Sequence, residues 1–195
     1  MFEALDECLT DCRNRLIRAP RDRKAPMHTP VIVTGDVDAR VMVLRAFDAS
    51  AWTLRLHTDA RAPKAQVIAA DPRVAVLFYD KGAKIQIRAR GTGAILREGA
   101  EVDAAWAAST NFARRCYLGD GPGSGSDAPT SGLPPEFEGL DPDDAQLVPA
   151  RENFALLKIT LTALDWLYLA HTGHVRAQFT RAAADAAWEG RWVSP

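Results

Sequence analysis

Between residues 40 and 91, four sets of polar residues interrupt otherwise apolar, strand-like runs: Arg40 and Arg45, His57 and Thr58, Lys64, and Gln86 with Arg88. Guanidinium, ammonium and hydroxyl groups are the donor types that hold a phosphate dianion, and charge-assisted bonds contribute about 1.5–3 kcal/mol each. Lys64 falls near the start of a predicted short helix, where backbone N–H groups also favour an anion. The ends of neighbouring strands in an antiparallel meander lie close together, so Arg40, Thr58 and Lys64 are expected to converge on one phosphate. A single basic residue at a strand end is an ordinary solvated group; only the set together points to an anion.

The elements that must position these groups are short. "VIVTG" (31–35), "RVMVLRAF" (40–47) and "WTLRLHT" (52–58) alternate or are β-branched, and turn-prone pieces separate them. In "RVMVLR", Arg40, Met42 and Leu44 point to one face and Val41, Val43 and Arg45 to the other. Such close spacing implies antiparallel pairing, because parallel strands need longer crossovers. "APKAQVIAADP" (62–72) predicts a short helix stopped by Pro72, followed by strands over 73–79 and 84–96 with bulges or bends at Gly91 and Gly93. An amphipathic helix is predicted over 2–17, with Phe2, Leu5, Leu9, Cys12 and Leu16 on one face, and a second helix over 100–117. Residues 119–144 are dense in Gly, Pro, Ser and Asp and read as a long, flexible flap. Strand material returns at 154–170, 174–181 and 188–195. The expected class is mainly β with flanking helices (α+β), a small antiparallel barrel in a single domain over 1–195.

Composition narrows the function classes. A net charge of −1 provides no overall basic field for nucleic acid or anionic lipid, so any positive cluster is local and suits a small anion. The five tryptophans fall within apolar patterns, as core residues do, which argues against a basic single-strand nucleic-acid groove. No apolar run reaches the roughly 20 residues of a membrane span. The opening segment carries acids and lacks a secretory-type apolar core, so a cytoplasmic location is expected. Cys8, Cys12 and Cys116 are odd in number and read as reduced thiols, with no metal set around them. "GPGSGS" (121–126) has no following Lys-Ser or Lys-Thr, which removes a phosphate-loop reading. No catalytic triad, carboxylate pair or metal motif is present in the sequence.

The stretch "RVMVLRAFDASAWTLRLHTDARAPKAQVIAADPRVAVLFY" followed by "KIQIRARG" resembles the pyridoxamine 5′-phosphate oxidase family of FMN-binding split barrels. The matching positions are Arg40 and Arg45, Thr58, Lys64-Ala65, Asp71-Pro72 through Phe78, and Gln86-Ile87-Arg88 through Gly91. "LDWLYLAHTGHVRAQF" and "WEGRWVSP" are similar to the closing strands of that family. The resemblance implies a homodimer with FMN at the subunit interface. It also implies that Arg40, Thr58 and Lys64 hold the phosphate, that the backbone of Val41, Met42 and Val43 runs beside the isoalloxazine, and that Gln86 hydrogen-bonds in the cofactor site. His57 and Arg45 complete the cofactor-binding set, and Arg45, His174 and Arg176 are candidates for contacting a small-molecule substrate. His171 and His174 flank a predicted turn, and a solvent-exposed pair is the plainer reading of them.

The departures from the family pattern are as informative. His57 stands where Tyr is usual, Asp59 where Asn is, and Pro63 replaces a basic residue beside Lys64. Leu167 replaces a Trp, and Gln178 an Arg, of the vitamin-processing enzymes. Arg114, Arg115 and Ser124 occupy the region of their Gln-Ser pair. The FMN half of the pattern is thus kept better than the half that recognises pyridoxamine phosphate. The expected function is an FMN-dependent oxidoreductase transferring hydride from a small substrate to the flavin. The alternative is a flavin-binding carrier or sensor without turnover.

Overall fold

The computed structural model describes residues 2–195. Among the described residues nine strands form one mostly antiparallel sheet: β1 (Val31–Val33), β2 (Ala39–Val41), β3 (Leu44–Asp48), β4 (Thr53–Asp59), β5 (Arg73–Asp80), β6 (Ile85–Leu96), β7 (Phe154–Tyr168), β8 (Val175–Thr180) and β9 (Glu189–Trp192). Their order is β2-β1-β5-β6-β7-β4-β3, with β8 on β7 and β9 on β8. Helices α1 (Leu5–Arg18), α2 (Pro63–Ala70), α3 (Ala100–Ala107) and α4 (Asn111–Arg114) accompany the sheet.

The expected single strand over 40–47 is two strands. Arg40 pairs with Ile32 in β1, whereas Leu44 pairs with Leu56 in β4, and a bulge follows between Leu44 and Ala46. β2 and β3 stand at opposite ends of the strand order, yet only Met42 and Val43 separate them. Three residue steps span at most about 11 Å. A flat path of seven strands would place its edges roughly 28 Å apart. The sheet therefore curls until its edges meet, as a barrel requires.

Two compact units make up the chain: Met1–Leu56, Asp71–Gly93 and Lys158–Pro195 in the first, His57–Ala70 and Ala94–Leu157 in the second. In the first, alternating residues of β5 and β6 bury Val74, Val76, Phe78, Ile85, Ile87 and Ala89. Helix α1 packs Cys8, Cys12 and Leu16 inward, and burial pushes the Cys8 thiol up to about 11. The indole of Trp166 donates to Asp11 at 2.8 Å, and Arg15 joins Asp11 to Asp80. Gly91 is not a bulge, because it sits in unbroken register opposite Val74. Its requirement is steric: a Cβ there would lie 2.0 Å from the Thr160 carbonyl oxygen.

In the second unit, Val102, Ala105, Phe154 and Leu156 form a core on which Leu96, Trp106 and Tyr117 pack. The helix expected over 100–117 breaks at Ser109, where Thr110 caps α4 by accepting from the Ala113 N–H. Residues 119–144 hold defined turns, among them a 3-10 turn at Pro135–Phe137. Arg115 is buried and donates to the carbonyls of Phe137 and Leu140, while Asn111 donates to that of Pro142.

Candidate cofactor site

The predicted site residues divide between the two units. Arg40, Val41, Met42, Val43, Arg45, Gln86, His174 and Arg176 lie in the first, and His57, Thr58 and Lys64 in the second.

In the first unit, the β1–β2 hairpin carries Arg40. Its Nη1 donates to Thr34 Oγ1 at 2.8 Å, and its Nη2 pairs with the Asp38 carboxylate. Val41 follows with 64% of its surface exposed, and the Met42 N–H is held by the Pro30 carbonyl at 3.0 Å. Residues 41–43 thus follow directly on a guanidinium held by its own hairpin. Arg45 is exposed at the bulge. Alternation along β6 puts Gln86, Arg88 and Arg90 on the face away from the core.

On that face β6, β7, β8 and β9 border an open groove of about 850 Å³. Its polar centre is Asp165, which accepts from Arg176 Nε at 2.9 Å and Nη2 at 2.7 Å, Arg88 Nη2 at 2.7 Å and Gln178 Nε2 at 2.9 Å. Burial pushes the Asp165 carboxyl up, but the bonds from Arg176 and Gln178 and the two positive charges outweigh it and leave it below its ordinary value. Arg191 Nη2 donates to Gln178 Oε1 at 3.0 Å. Arg176 therefore enters the groove already bound to an acid, and Arg88 belongs to the same cluster. His174 lies in an exposed turn.

In the second unit, His57 sets its ring edge-on to Phe154 at 4.9 Å. Thr58 and Asp59 are buried at the end of β4, and Asp59 holds Arg61 through bonds of 3.0 and 2.7 Å. Lys64 is half-buried one residue inside the start of α2, behind Pro63. Proline at that first helical position sacrifices no intrahelical donor. Arg114 and Arg115 close local loops, Arg114 donating to the Trp106 and Ala107 carbonyls. Among the described residues no group of three or more His, Cys, Asp or Glu is arranged to hold a metal ion, and no helix is long and apolar enough to cross a membrane.

Sequence reasoning missed Thr34, Asp38 and Asp165. An acid inside the apolar run of β7 was the available signal for Asp165. The partners of Arg40 lie two and six residues before it and carried no motif.

The donor types suit a phosphorylated, flat cofactor, and known proteins agree. Residues 20–97 match the model of the pyridoxamine 5′-phosphate oxidase FMN-binding domain. A pyridoxine/pyridoxamine 5′-phosphate oxidase of Caulobacter vibrioides is 34% identical over 90 residues, 46% of this chain and 39% of that protein. One from Rhodopseudomonas palustris is 33% identical over 88 residues, 45% of this chain and 40% of that protein. The match thus spans about two fifths of the length of those relatives. A pyridoxamine 5′-phosphate oxidase-related, FMN-binding protein of Nostoc punctiforme superposes over 100% of both chains, with TM-score 0.73 and 21% identity. PhzG of Burkholderia lata, solved with tetrahydrophenazine-1-carboxylic acid, superposes over 96% of this chain and 92% of its own, with TM-score 0.68 and 15% identity. At those identities the structures establish the fold, a split barrel. Residues 20–97 are thus the part of the chain that is similar to the FMN-binding domain of the pyridoxamine 5′-phosphate oxidase family.

Proposed function

We propose that the chain is an FMN-dependent oxidoreductase that takes hydride from a small substrate. The observation that carries this reading is that every cofactor-binding candidate, from Arg40 to Gln86, falls inside the matched segment 20–97. In this reading Arg40, Thr58 and Lys64 bind the phosphate, residues 41–43 line the ring, and His57 and Gln86 complete the cofactor contacts. Arg45, His174 and Arg176 contact the substrate. Bound FMN supplies hydride acceptance and reoxidation, so the chain need provide only position and electrostatics. That demand is consistent with a site built from arginines and amides. We further propose a homodimer with FMN at the subunit interface; the exposure of Val41 and Tyr79, at 64% and 45%, supports a partner there.

Titration with FMN, followed by quenching of flavin fluorescence, tests the reading. Saturable binding is expected. Arg40→Ala and Lys64→Ala should each weaken it by about tenfold, the equivalent of one charge-assisted bond. Absence of saturable binding, or wild-type affinity in the double variant, overturns it. Adding pyridoxine phosphate in air and following hydrogen peroxide tests turnover, with a rate linear in protein expected if that compound is the substrate.

A further inference from the structure

The hairpin that carries Arg40 holds a second feature. We propose that Asp38 is the resident counter-ion of Arg40 and thereby sets how strongly the chain prefers a phosphorylated flavin to an unphosphorylated one. This rests on Arg40 meeting the cofactor phosphate.

The two arms of the Arg40 guanidinium have unlike partners. One donates to Thr34 Oγ1 at 2.8 Å. Thr34 is buried, and its own hydroxyl proton goes to Asp36 Oδ1 at 2.6 Å, so its oxygen is turned to accept from Arg40. That hydrogen bond, the largest influence on the Asp36 carboxyl, holds it below the ordinary carboxylate range. The turn is fixed by the Thr34 N–H to the Asp38 carbonyl at 3.1 Å and the Val37 N–H to the Thr34 carbonyl at 2.9 Å. It keeps Val37 at φ +65°, a conformation that β-branched residues rarely adopt. Gly35 lets the turn sit close to Asp71, whose Oδ2 would be 2.4 Å from a Cβ at that position. This arm of Arg40 is therefore built in.

The other arm pairs with a carboxylate whose side chain is 66% exposed, against 20% for Arg40. An exposed ion pair is weak and exchangeable. A phosphate arriving at Arg40 must displace the Asp38 carboxylate or share the guanidinium with it, and two anions on one arm repel. Thr34 orients the guanidinium without competing for it, whereas Asp38 competes. The competition acts only on ligands that carry the phosphate.

Riboflavin and FMN differ by that phosphate alone, so the ratio of their Kd values isolates the effect. Both are titrated onto the parent, Asp38→Asn, Asp38→Ala, Arg40→Ala and the Asp38→Asn/Arg40→Ala double variant. Either Asp38 variant should tighten FMN by about two- to fivefold, the strength of an exposed ion pair, and leave riboflavin unchanged. In the Arg40→Ala background the Asp38 substitution should have no effect on the ratio. If Arg40→Ala lowers the preference for FMN while both Asp38 variants keep the parent ratio, the counter-ion role is overturned and Arg40 keeps its place. Weakening of both flavins alike in the Asp38 variants assigns the residue to the turn's architecture and also overturns it. A parent ratio in Arg40→Ala overturns the phosphate reading itself.

Discussion

Asp165 is the point where the candidate substrate face depends on a single group, and its replacement by Asn gives a definite expectation. The carboxylate makes a bidentate pair with Arg176, and the two side chains are 15% and 22% exposed. Such a partly buried pair contributes about 1–2 kcal/mol net of desolvation. The bond from Gln178 adds about 1 kcal/mol. Arg88 is 49% exposed, so its pair with Asp165 is discounted for solvent screening to about 0.5 kcal/mol. Asparagine keeps the shape and one acceptor but turns an N–H toward donors, so the expected loss is about 2–3 kcal/mol. That is a large fraction of the roughly 5–15 kcal/mol that stabilises an ordinary domain. The pH dependence has a fixed sign. The folded carboxyl lies below its ordinary value of 3.8, so its contribution is fully present above that value and is lost as pH falls through the folded one. Urea unfolding of parent and Asp165→Asn, at pH 7 and at about pH 3, should show a gap that narrows in acid. A gap below about 0.5 kcal/mol at pH 7, or one equally wide at both pH values, would refute the assignment.

Arg181 is 94% buried by the complement of its 6% exposure, and burial pushes its guanidinium down from the ordinary value. It donates to the carbonyls of Leu161 at 2.7 Å, Ala51 at 2.8 Å and Ala184, and lies over the Trp188 ring at 5.1 Å. Arg181→Ala should cost about 3–5 kcal/mol in urea unfolding, with Arg181→Lys intermediate; a loss under about 1 kcal/mol would show these carbonyls to be satisfied otherwise. Gly91→Ala places a methyl group 2.0 Å from the Thr160 carbonyl oxygen and 3.0 Å from Leu161 Cα, both of them backbone. Separating β6 from β7 to make room should lower stability by about 3 kcal/mol, and unchanged amide-exchange protection along β6 would count against that close approach.

The fold was legible because its strands follow period two. β4, β5 and β6 alternate buried and exposed positions almost residue by residue, and Pro72 stops α2 near where the sequence indicates. What the sequence could not show was the step at Met42 and Val43. "RVMVLRAF" is uniformly strand-like, and only closure of the sheet divides it between two edges. Gly91 shows the same limit. A glycine in a strand marks either a bulge or a close approach, and sequence does not separate the two. Here the neighbour that decides the matter is Thr160, 69 positions away along the chain.

The donors of the proposed site stand out in the sequence and their partners do not, for a physical reason. The proposed cofactor site draws on particular residue types, and Arg40, Thr58, Lys64 and Gln86 supply them in the family's order whatever surrounds them. The groups that tune such a site act through contact geometry. Asp38 reaches Arg40 from two residues before it and Thr34 reaches it across the β1–β2 turn, and Asp165 gathers Arg88 and Arg176 because β6 and β8 flank β7. Arg40 and Arg176 illustrate the consequence. Both read as available cations in the sequence, yet each already has a carboxylate partner, one largely exposed and the other half-buried. An exposed partner can be exchanged for a ligand's charge at little expense, whereas a half-buried one holding four hydrogen bonds resists exchange. In the proposed reading Arg40 is therefore the cation that receives an incoming anion, and Arg176 the one that holds its place while a ligand binds beside it.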